Sequence, residues 1–294
     1  MKFNQERPTM TSALPAELVA KRDNVLEMIR SYDSCAVAFS AGVDSAVMAK
    51  AAAVALGERA IAVTGASPSL AAGELEEARE TARQIGIRHI VVDTRELAQP
   101  EYIQNAPDRC YHCRMELYTR LKELQDRLDV AVLFDGANAD DLHDYRPGTR
   151  AASEQQVCSP LAACGLTKAD VRELARAWGL PVWDKPATPC LSSRLSYGEE
   201  VTADRLAMVD RGEKFLRERG FDVCRVRYHR GDLARVEVPQ EQLPALLADD
   251  VRQELVDYLR QLGFKFVTLD LQGFRSGSLN VLVPADQLQQ KQGA

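Results

Sequence analysis

Short apolar segments alternate with helix-forming segments along the first part of the chain. Strands are predicted at 35–39 (CAVAF), 60–65, 89–94 and 130–136, and helices at 44–56, 70–85, 112–127 and 167–180. Thr167 is the predicted N-cap of the last helix, and Asp170 three residues on comes close to a capping box. The strands are almost continuously apolar, which is typical of a parallel sheet with helices on both faces. The pattern therefore predicts an α/β fold. Ligands of such folds bind at the carboxyl ends of the strands, so the loops after residues 39, 64 and 135 should share one crevice.

The pattern changes after the segment WDKPATPCLSSRLSYGEE at 183–200. A helix is predicted at 202–219, strands at 223–229, 234–239, 265–270 and 279–284, and two helical stretches within 240–262. This order predicts a smaller C-terminal α+β domain. We therefore expect a loose arm at 1–17, a first domain at 18–195, a second domain at 196–288 and a tail at 289–294.

Composition narrows the class of protein. The chain has 294 residues, of which 46% are hydrophobic, and a net charge of −6, which weighs against a nucleic-acid partner. No apolar run approaches the roughly 20 residues of a membrane span, and the N-terminus lacks the apolar core of a signal peptide. We therefore expect a cytoplasmic protein without a membrane partner, whose seven cysteines are reduced thiols or ligands.

Residues 40–45, SAGVDS, stand where the first strand meets the first helix of the sheet. Small residues let the backbone approach a phosphate, and free N–H groups at a helix start favour anions. The segment resembles the SGGxDS signature of the PP-loop ATP pyrophosphatases, which split ATP into AMP and pyrophosphate. Ala41 replaces a glycine of that signature, so its backbone must avoid a glycine-only conformation or be strained. The alternative is a plain turn in which Asp44 caps the helix.

Two further loops at the same sheet edge offer polar groups. TGASPS at 64–69 follows the second strand, where PP-loop proteins hold the adenine, and FDGANADDLHDYRPG at 134–148 follows another strand. The second loop contains Asn138 and four carboxylates, which suit Mg²⁺ or a nucleotide: Asp135, Asp140, Asp141 and Asp144. Lys185 could neutralise departing pyrophosphate. The alternatives are a solvated acidic loop and a surface lysine.

Three cysteines stand near these loops. Cys110 and Cys113 form a C-x-x-C at the start of a predicted helix, and Cys190 lies in TPCLSSR. A C-x-x-C alone is compatible with half a zinc site, a redox pair or an iron–sulfur site. No second C-x-x-C completes a four-cysteine zinc site. Three thiolates would leave one iron of a [4Fe–4S] cluster without a protein ligand, and that iron can hold a sulfide.

The combination of AFSAGVDS, GANADDLHDYRPG, SPL, PCLSSRLSYGEE and VRYH…ARVEV resembles the LarE family over about residues 20 to 285. LarE enzymes are ATP-dependent sulfur insertases that help to build the nickel-pincer nucleotide cofactor. The resemblance implies that ATP adenylates a carboxylate of pyridinium-3,5-dicarboxylate mononucleotide and that sulfur then displaces AMP to give a thiocarboxylate. Some members sacrifice one cysteine, which matches Cys190 here, and others bind a [4Fe–4S] cluster through three cysteines.

The resemblance and the residues together give a set of predicted site residues. Catalysis is assigned to Cys190, Cys110, Cys113, Asp44 and Lys185, and ATP binding to Ser40, Gly42, Asp44, Ser45, Thr64, Ser67, Asn138 and Asp140. Arginines suit a nucleotide with two carboxylates, so the predicted substrate residues are Arg194, Arg225, Arg227, Glu237 and Arg275. The predicted metal ligands are Cys110, Cys113 and Cys190 for iron–sulfur, with Asp44 and Asp141 for Mg²⁺.

The predicted cofactors are ATP, Mg²⁺ and a [4Fe–4S] cluster, with sulfide or a cysteine desulfurase as the sulfur source, and the family analogy favours a homo-oligomer. The nearest rival is a PP-loop tRNA thiolase with a cluster, which would need a basic surface. An amide-forming PP-loop enzyme would need a glutaminase domain. A nucleotide- or metal-sensing module, the non-enzyme rival, would bind ATP without releasing pyrophosphate.

Overall fold

A computed structural model describes residues 14–143, 147–186, 188–275 and 278–279. Its first sheet has four strands, all parallel, in the order β3-β2-β1-β4. Their bounds are Cys35–Ala38 (β1), Ala60–Ala66 (β2), Arg88–Asp93 (β3) and Val132–Phe134 (β4). The predicted α/β fold with a parallel sheet is therefore confirmed.

Helices cover both faces of this sheet. They are α1 (Ala16–Arg30), α2 (Val43–Leu56), α3 (Glu74–Ile85), α4 (Pro100–Ile103), α5 (Arg109–Leu128), α6 (Pro147–Glu154), α7 (Pro160–Ala163) and α8 (Lys168–Ala177). Alternate residues of β1 explain the two layers. Cys35 and Val37 pack in the cluster built with α1, α2 and α8, whereas Ala36 and Ala38 pack against α5 and α6. The crossover helices therefore bury every side chain of β1.

Element ends follow local chemistry. The helix predicted from residue 70 begins at Glu74, because Gly73 adopts a left-handed φ of 88° that interrupts the helix there. The helix predicted from residue 112 begins earlier, at Arg109, so Cys110 lies in its first turn and Cys113 at the start of its second. The predicted capping of α8 is present, since Thr167 and Asp170 form a reciprocal capping box.

The second unit is a three-stranded sheet with helices. Its elements are α9 (Ala203–Arg217), β5 (Arg225–His229), β6 (Leu233–Glu237), α10 (Leu243–Leu246), α11 (Asp249–Gln261) and β7 (Phe266–Leu269). β5 and β6 are antiparallel, and β7 lies parallel to β6. For the strand predicted at 279–284, residues 280–284 lie outside the described residues. None of the described helices is both long and apolar enough to cross a membrane.

The two units share side chains. The second hydrophobic cluster contains Leu191, Leu195 and Tyr102 together with the core of α9, β5 and β6, and Cys113 packs against it. The domain boundary near residue 195 stays a prediction. The segment just before it, a short 3₁₀ turn at Leu191–Arg194, contacts both units and carries the Cys190 end of the site.

Candidate active site

The loop at residues 40–45, here called the PP-loop, joins β1 to the start of α2. The Ser45 hydroxyl donates to the Gly42 carbonyl oxygen at 3.0 Å and lies 3.2 Å from the Ser40 hydroxyl, while the Ser40 N–H donates to the Ser45 hydroxyl at 3.2 Å. Ser45 therefore closes the loop around the N-terminus of α2. Gly42 is the N-cap residue of α2. Because Gly42 has no side chain to cap the helix, the first N–H groups of α2 are left open to an anion.

Ala41 adopts a φ of 54°, in the left-handed region. A residue with a β-carbon is strained there by about 1–2 kcal/mol, so this loop keeps the conformation for which the signature uses glycine. The strain persists because Ala41 is 1% exposed and packed in the core. Strain held in place by packing is a known property of ligand-binding loops.

Asp44 lies in the first turn of α2 and is held from two sides. The Asn138 amide donates to its Oδ1 at 3.1 Å, and the Lys168 ammonium forms a short ion pair with its Oδ2. Lys168 lies in the first turn of α8, where the helix dipole disfavours a cation. That unfavourable position is the one sequence signal for Lys168, and the sequence analysis missed it.

The loop after β4 packs directly on the PP-loop. A β-carbon on Gly136 would lie 2.7 Å from the Ser45 backbone nitrogen, so only glycine allows this approach. Asp135, 5% exposed, accepts from the Ser159 hydroxyl at 2.7 Å and from the Tyr118 hydroxyl at 3.1 Å. Burial is the main cause that raises the pKa of Tyr118 to about 12, so this hydroxyl stays protonated as a donor.

The other two carboxylates of that loop are part of its own framework. Asp140 accepts from the Lys168 backbone N–H at 2.8 Å, and Asp141 accepts from the Asn138 backbone N–H at 3.0 Å. The Asp140 N–H also donates to the Asn138 side-chain oxygen at 3.0 Å, so Asp140 and Asp141 both hold Asn138, which is 3% exposed, beside Asp44. Asp144 lies outside the described residues.

The loop after β2 ends in a serine–carboxylate cluster. Ser67 and Ser69 both donate to Glu96 Oε1, from Ser69 at 2.8 Å and from Ser67 through a shorter contact. Glu96 is 2% exposed, and its Oε2 has no hydrogen-bond partner among the described residues. Thr64, by contrast, is 3% exposed, and its hydroxyl lies 2.7 Å from the Phe39 carbonyl oxygen and 2.8 Å from His89 Nε2.

Cys110 and Cys113 near the start of α5, with Cys190, are here called the three-cysteine site. The two segments that carry them are in contact, since Arg109 of α5 donates to the Ser192 carbonyl oxygen at 2.9 Å. Burial raises the pKa of the Cys113 thiol, and negative charge at Cys190, Glu96 and Cys110 raises it further. The Leu191 N–H also donates to the Ser69 carbonyl oxygen at 2.9 Å, which ties the Cys190 segment to the loop after β2. The segment that carries Cys190 therefore lies beside the loop after β2, at the carboxyl edge of the sheet.

The other four cysteines lie elsewhere. Cys35 and Cys224 are buried, and burial raises the pKa of each thiol to about 12. Cys158 and Cys164 are partly buried and pack against the core beside α2 and α8.

Whether the site can hold the predicted metals depends on which donor atoms its side chains offer. In the described part of the chain, no three His, Cys, Asp or Glu side chains are grouped as a ready-made metal site. Three thiols are nevertheless the kind of donor that an iron–sulfur cluster takes, so the three-cysteine site fits the cluster in its chemistry. Mg²⁺ takes one or two carboxylates together with substrate phosphates, and Asp44 at the PP-loop fits that requirement.

Arg194 is fully enclosed. Its Nε and Nη2 donate to the two oxygens of Glu213 at 2.9 and 3.1 Å, and both side chains are 1% exposed. Its Nη1 donates to the Cys190 carbonyl oxygen at 3.0 Å. The structure therefore places Arg194 as the anchor of the Cys190 segment.

Of the remaining predicted substrate residues, Arg225, Arg227 and Glu237 lie on one face of β5 and β6, and Arg275 follows β7. Arg227, 6% exposed, donates to Glu237 at 3.0 Å and to the Ser193 carbonyl oxygen at 3.1 Å, while its Nε has no acceptor among the described residues. Arg225 is half-buried over the Phe274 ring. Arg275 is about half exposed and lies 3.5 Å from Asp270. These groups are close to the Cys190 segment because Arg227 bonds Ser193 directly.

Lys185 lies apart from the PP-loop contacts. Its ammonium pairs with Glu77 of α3 at 2.8 Å, and it lines a surface groove with Pro181, Val182 and Asp184. The cation that bonds the PP-loop is Lys168 instead. Lys185 as a pyrophosphate-neutralising group stays a prediction that no contact of the described residues supports.

No family model matches the chain. Searches of known proteins find an uncharacterized protein of Synechocystis, 46% identical over 90% of this chain and 98% of the relative. An uncharacterized protein of Methanocaldococcus jannaschii is 26% identical over 88% of this chain and 98% of its own length. The pyridinium-3,5-bisthiocarboxylic acid mononucleotide synthase of Lactiplantibacillus plantarum is 36% identical over 93% of this chain and 98% of its own length. With this identity over nearly the whole length of both proteins, the chain belongs to the LarE family.

Proposed function

We propose that the chain is an ATP-dependent sulfurtransferase that converts a carboxylate of pyridinium-3,5-dicarboxylate mononucleotide into a thiocarboxylate. The observation that carries the proposal is the hydrogen bond from the Leu191 N–H, next to Cys190, to the Ser69 carbonyl oxygen at 2.9 Å, which holds the Cys190 segment against a loop of the nucleotide crevice. The L. plantarum relative is named for the corresponding bisthiocarboxylic product. We place the reaction in the cytoplasm.

Activation is the first half of the reaction. A carboxylate oxygen is a poor leaving group, and transfer of AMP from ATP makes it a good one. The open N–H groups at the start of α2, with Ser40, Gly42 and Ser45, form the site for the ATP phosphates. Lys168, held beside the PP-loop by Asp44, supplies positive charge for the departing pyrophosphate. Mg²⁺ held by Asp44, with Asp141 nearby on the Asn138 loop, would further neutralise the phosphate charge when bound.

The substrate is assigned to the basic face of β5 and β6. The unpaired Nε of Arg227 is a buried donor, which an anionic ligand would satisfy. Arg225 and Arg275 offer further guanidinium groups around it, and Glu237 holds Arg227 and Arg235 in place. Arg227 also bonds the Ser193 carbonyl oxygen, so a carboxylate bound there lies near the Cys190 segment.

Sulfur delivery is assigned to the three-cysteine site. Cys110, Cys113 and Cys190 would hold a [4Fe–4S] cluster, which would supply an open iron for sulfide when bound. The alternative is that Cys190 gives up its own sulfur and becomes dehydroalanine. Sulfide or a cysteine desulfurase remains the expected source of sulfur for the first route, and a homo-oligomer remains the expected assembly.

The test uses protein purified anaerobically, with ATP, the dicarboxylate nucleotide and sulfide. We expect pyrophosphate release and a product whose mass shows exchange of oxygen for sulfur. Cys110→Ala, Cys113→Ala and Cys190→Ala should each release pyrophosphate but form no thiocarboxylate, and Cys164→Ala is the matched control. Absence of pyrophosphate release from the wild-type protein with this substrate contradicts the proposal.

The same variants separate the two sulfur routes. In the cluster route, iron and acid-labile sulfide are present in the wild-type protein and are lost in any one of the three variants. In the sacrificial route, only Cys190→Ala is inactive, and each turnover removes the mass of H₂S from the wild-type protein.

A further inference from the structure

Arg109 is a buried cation that pairs with no carboxylate in the described part of the chain. It is 5% exposed, and it donates to the Asn105 side-chain oxygen and to the Ser192 carbonyl oxygen, the latter at 2.9 Å. Both partners are neutral, and both bond the same Nη1 atom. Buried arginines elsewhere in this chain have carboxylates, as Arg194 has Glu213 and Arg227 has Glu237. A buried guanidinium without a counter-ion is costly, so it indicates a place for an anion.

The residues around Arg109 indicate which anion it would bind. Arg109 is the first residue of α5, and Cys110 follows it in the first turn, so the positive end of the helix adds to its charge. Ser192, which Arg109 bonds, is two residues from Cys190. The position of Arg109 next to Cys110 and its bond to Ser192 therefore place the cation beside both sulfur-bearing segments.

We propose that Arg109 binds the sulfur anion that is transferred, in the form of hydrosulfide, where the start of α5 meets the Cys190 segment. The inference rests on the proposed function and adds to it a residue that holds the nucleophile. Hydrosulfide attacks the carbonyl carbon of the acyl adenylate, a C–S bond forms, and the C–O bond to AMP breaks. AMP leaves with the electron pair, and the S–H proton goes to solvent, which gives the thiocarboxylate.

The guanidinium would do two things for this step. It would raise the local concentration of the anion at a site from which bulk water is largely excluded. It would also hold the sulfur beside Ser192 and Cys190, in the segment that Arg227 connects to the substrate face. The expected signature of Arg109 is therefore a selective effect on hydrosulfide binding.

The first experiment measures thiocarboxylate formation against sodium hydrosulfide concentration under anaerobic conditions. Arg109→Gln should raise the KM for hydrosulfide at least about tenfold, with a much smaller change in the KM for ATP. Arg109→Lys, which keeps the charge, should recover much of the loss. Arg176→Gln, an exposed arginine on α8, is the matched control and should behave as wild type. Equal effects on both KM values in Arg109→Gln overturn the proposal.

The second experiment does not depend on activity or on the folding of a variant. Wild-type crystals are soaked anaerobically in sodium hydroselenide, and the anomalous signal of selenium locates the anion. We expect a peak within hydrogen-bonding distance of the Arg109 guanidinium. No peak there overturns the proposal, and so does a peak without any dependence of the reaction on hydrosulfide, which means binding at crystal concentration only.

The outcomes for the two proposals are distinct. Selenium at Arg109 in a protein that forms no thiocarboxylate leaves the anion site standing and rejects the proposed function. Product formation without added sulfide, with loss of H₂S mass from Cys190, keeps the function and rejects Arg109 as a hydrosulfide site. Loss of iron from Arg109→Gln with an unchanged KM for hydrosulfide assigns the arginine to cluster retention and also rejects it.

Discussion

Replacing Arg194 with methionine tests whether the Cys190 segment is anchored by a buried ion pair. The Nε and Nη2 donors of Arg194 bond both oxygens of Glu213, at 2.9 and 3.1 Å, and both side chains are 1% exposed. Removal of one partner from a buried pair costs about 3–5 kcal/mol, because a charge stays behind without compensation. Arg217 remains 3.3 Å from Glu213 and compensates in part. We therefore expect Arg194→Met to lower the free energy of unfolding by about 3 kcal/mol.

The assay is urea unfolding at pH 7, followed by circular dichroism. The matched control is Arg252→Met, which breaks an exposed ion pair with Asp249 on α11 and should cost less than about 1 kcal/mol. The double variant Arg194→Met/Glu213→Leu removes both buried charges, so it should be more stable than Arg194→Met alone. The reasoning is refuted if Arg194→Met and Arg252→Met lose the same stability, or if Glu213→Leu adds its own loss to that of Arg194→Met.

Four further predictions concern the site. Asp44→Asn and Ser45→Ala should each abolish pyrophosphate release with little change in circular dichroism, since both residues form the phosphate loop; near wild-type release would make it an ordinary turn. Lys168→Met should slow pyrophosphate release about 100-fold and Lys185→Met should not, and the reverse order would restore the sequence-based assignment. Loss of Arg225, Arg227 or Arg275 should weaken binding of the pyridinium nucleotide by about 1.5–3 kcal/mol each and leave ATP binding intact, as measured by calorimetry. Burial, with Arg235 and Arg227, lowers the pKa of His229 in the folded protein, so protonation of His229 favours the unfolded state. The wild type should therefore lose stability as the pH falls below about 6.5, and His229→Gln should lose less. Urea unfolding midpoints measured from pH 8 to 5.5 test this expectation.

The sequence predicted the parts of this protein that depend on local pattern. The continuous apolar runs gave the parallel sheet, because a strand buried on both faces needs apolar side chains at every position, as in β1. Thr167 and Asp170 predicted the start of α8, since a capping box needs only residues three apart. The signature at residues 40–45 predicts a phosphate loop, and Ala41 there has the left-handed φ of the glycine that it replaces.

Pairings between distant residues were not accessible in this way. Lys168 reaches Asp44 across 124 positions of the chain, and Arg109 reaches Ser192 across 83. Neither pairing produces a periodic pattern in the sequence. From the sequence alone, Lys168 beside a helix cap and Arg109 before the C-x-x-C are therefore interpreted as surface charges. For the same reason the sequence favoured Lys185 as the cation for pyrophosphate, whereas in the fold Lys185 forms an ion pair with Glu77.

The sequence by itself therefore determined the parallel sheet and the junction of β1 with α2 at residues 40–45, because each is encoded in neighbouring residues. The tertiary structure decided which charges are buried and what they face. From the sequence, Arg194 is a candidate substrate ligand, whereas the fold encloses it with Glu213. Arg109 is buried as well, but in the described part of the chain its bonded partners are neutral oxygens and not a carboxylate. Burial is a property of the whole packed molecule, and it sets the electrostatic cost that turns an ordinary arginine into a structural anchor or an anion site.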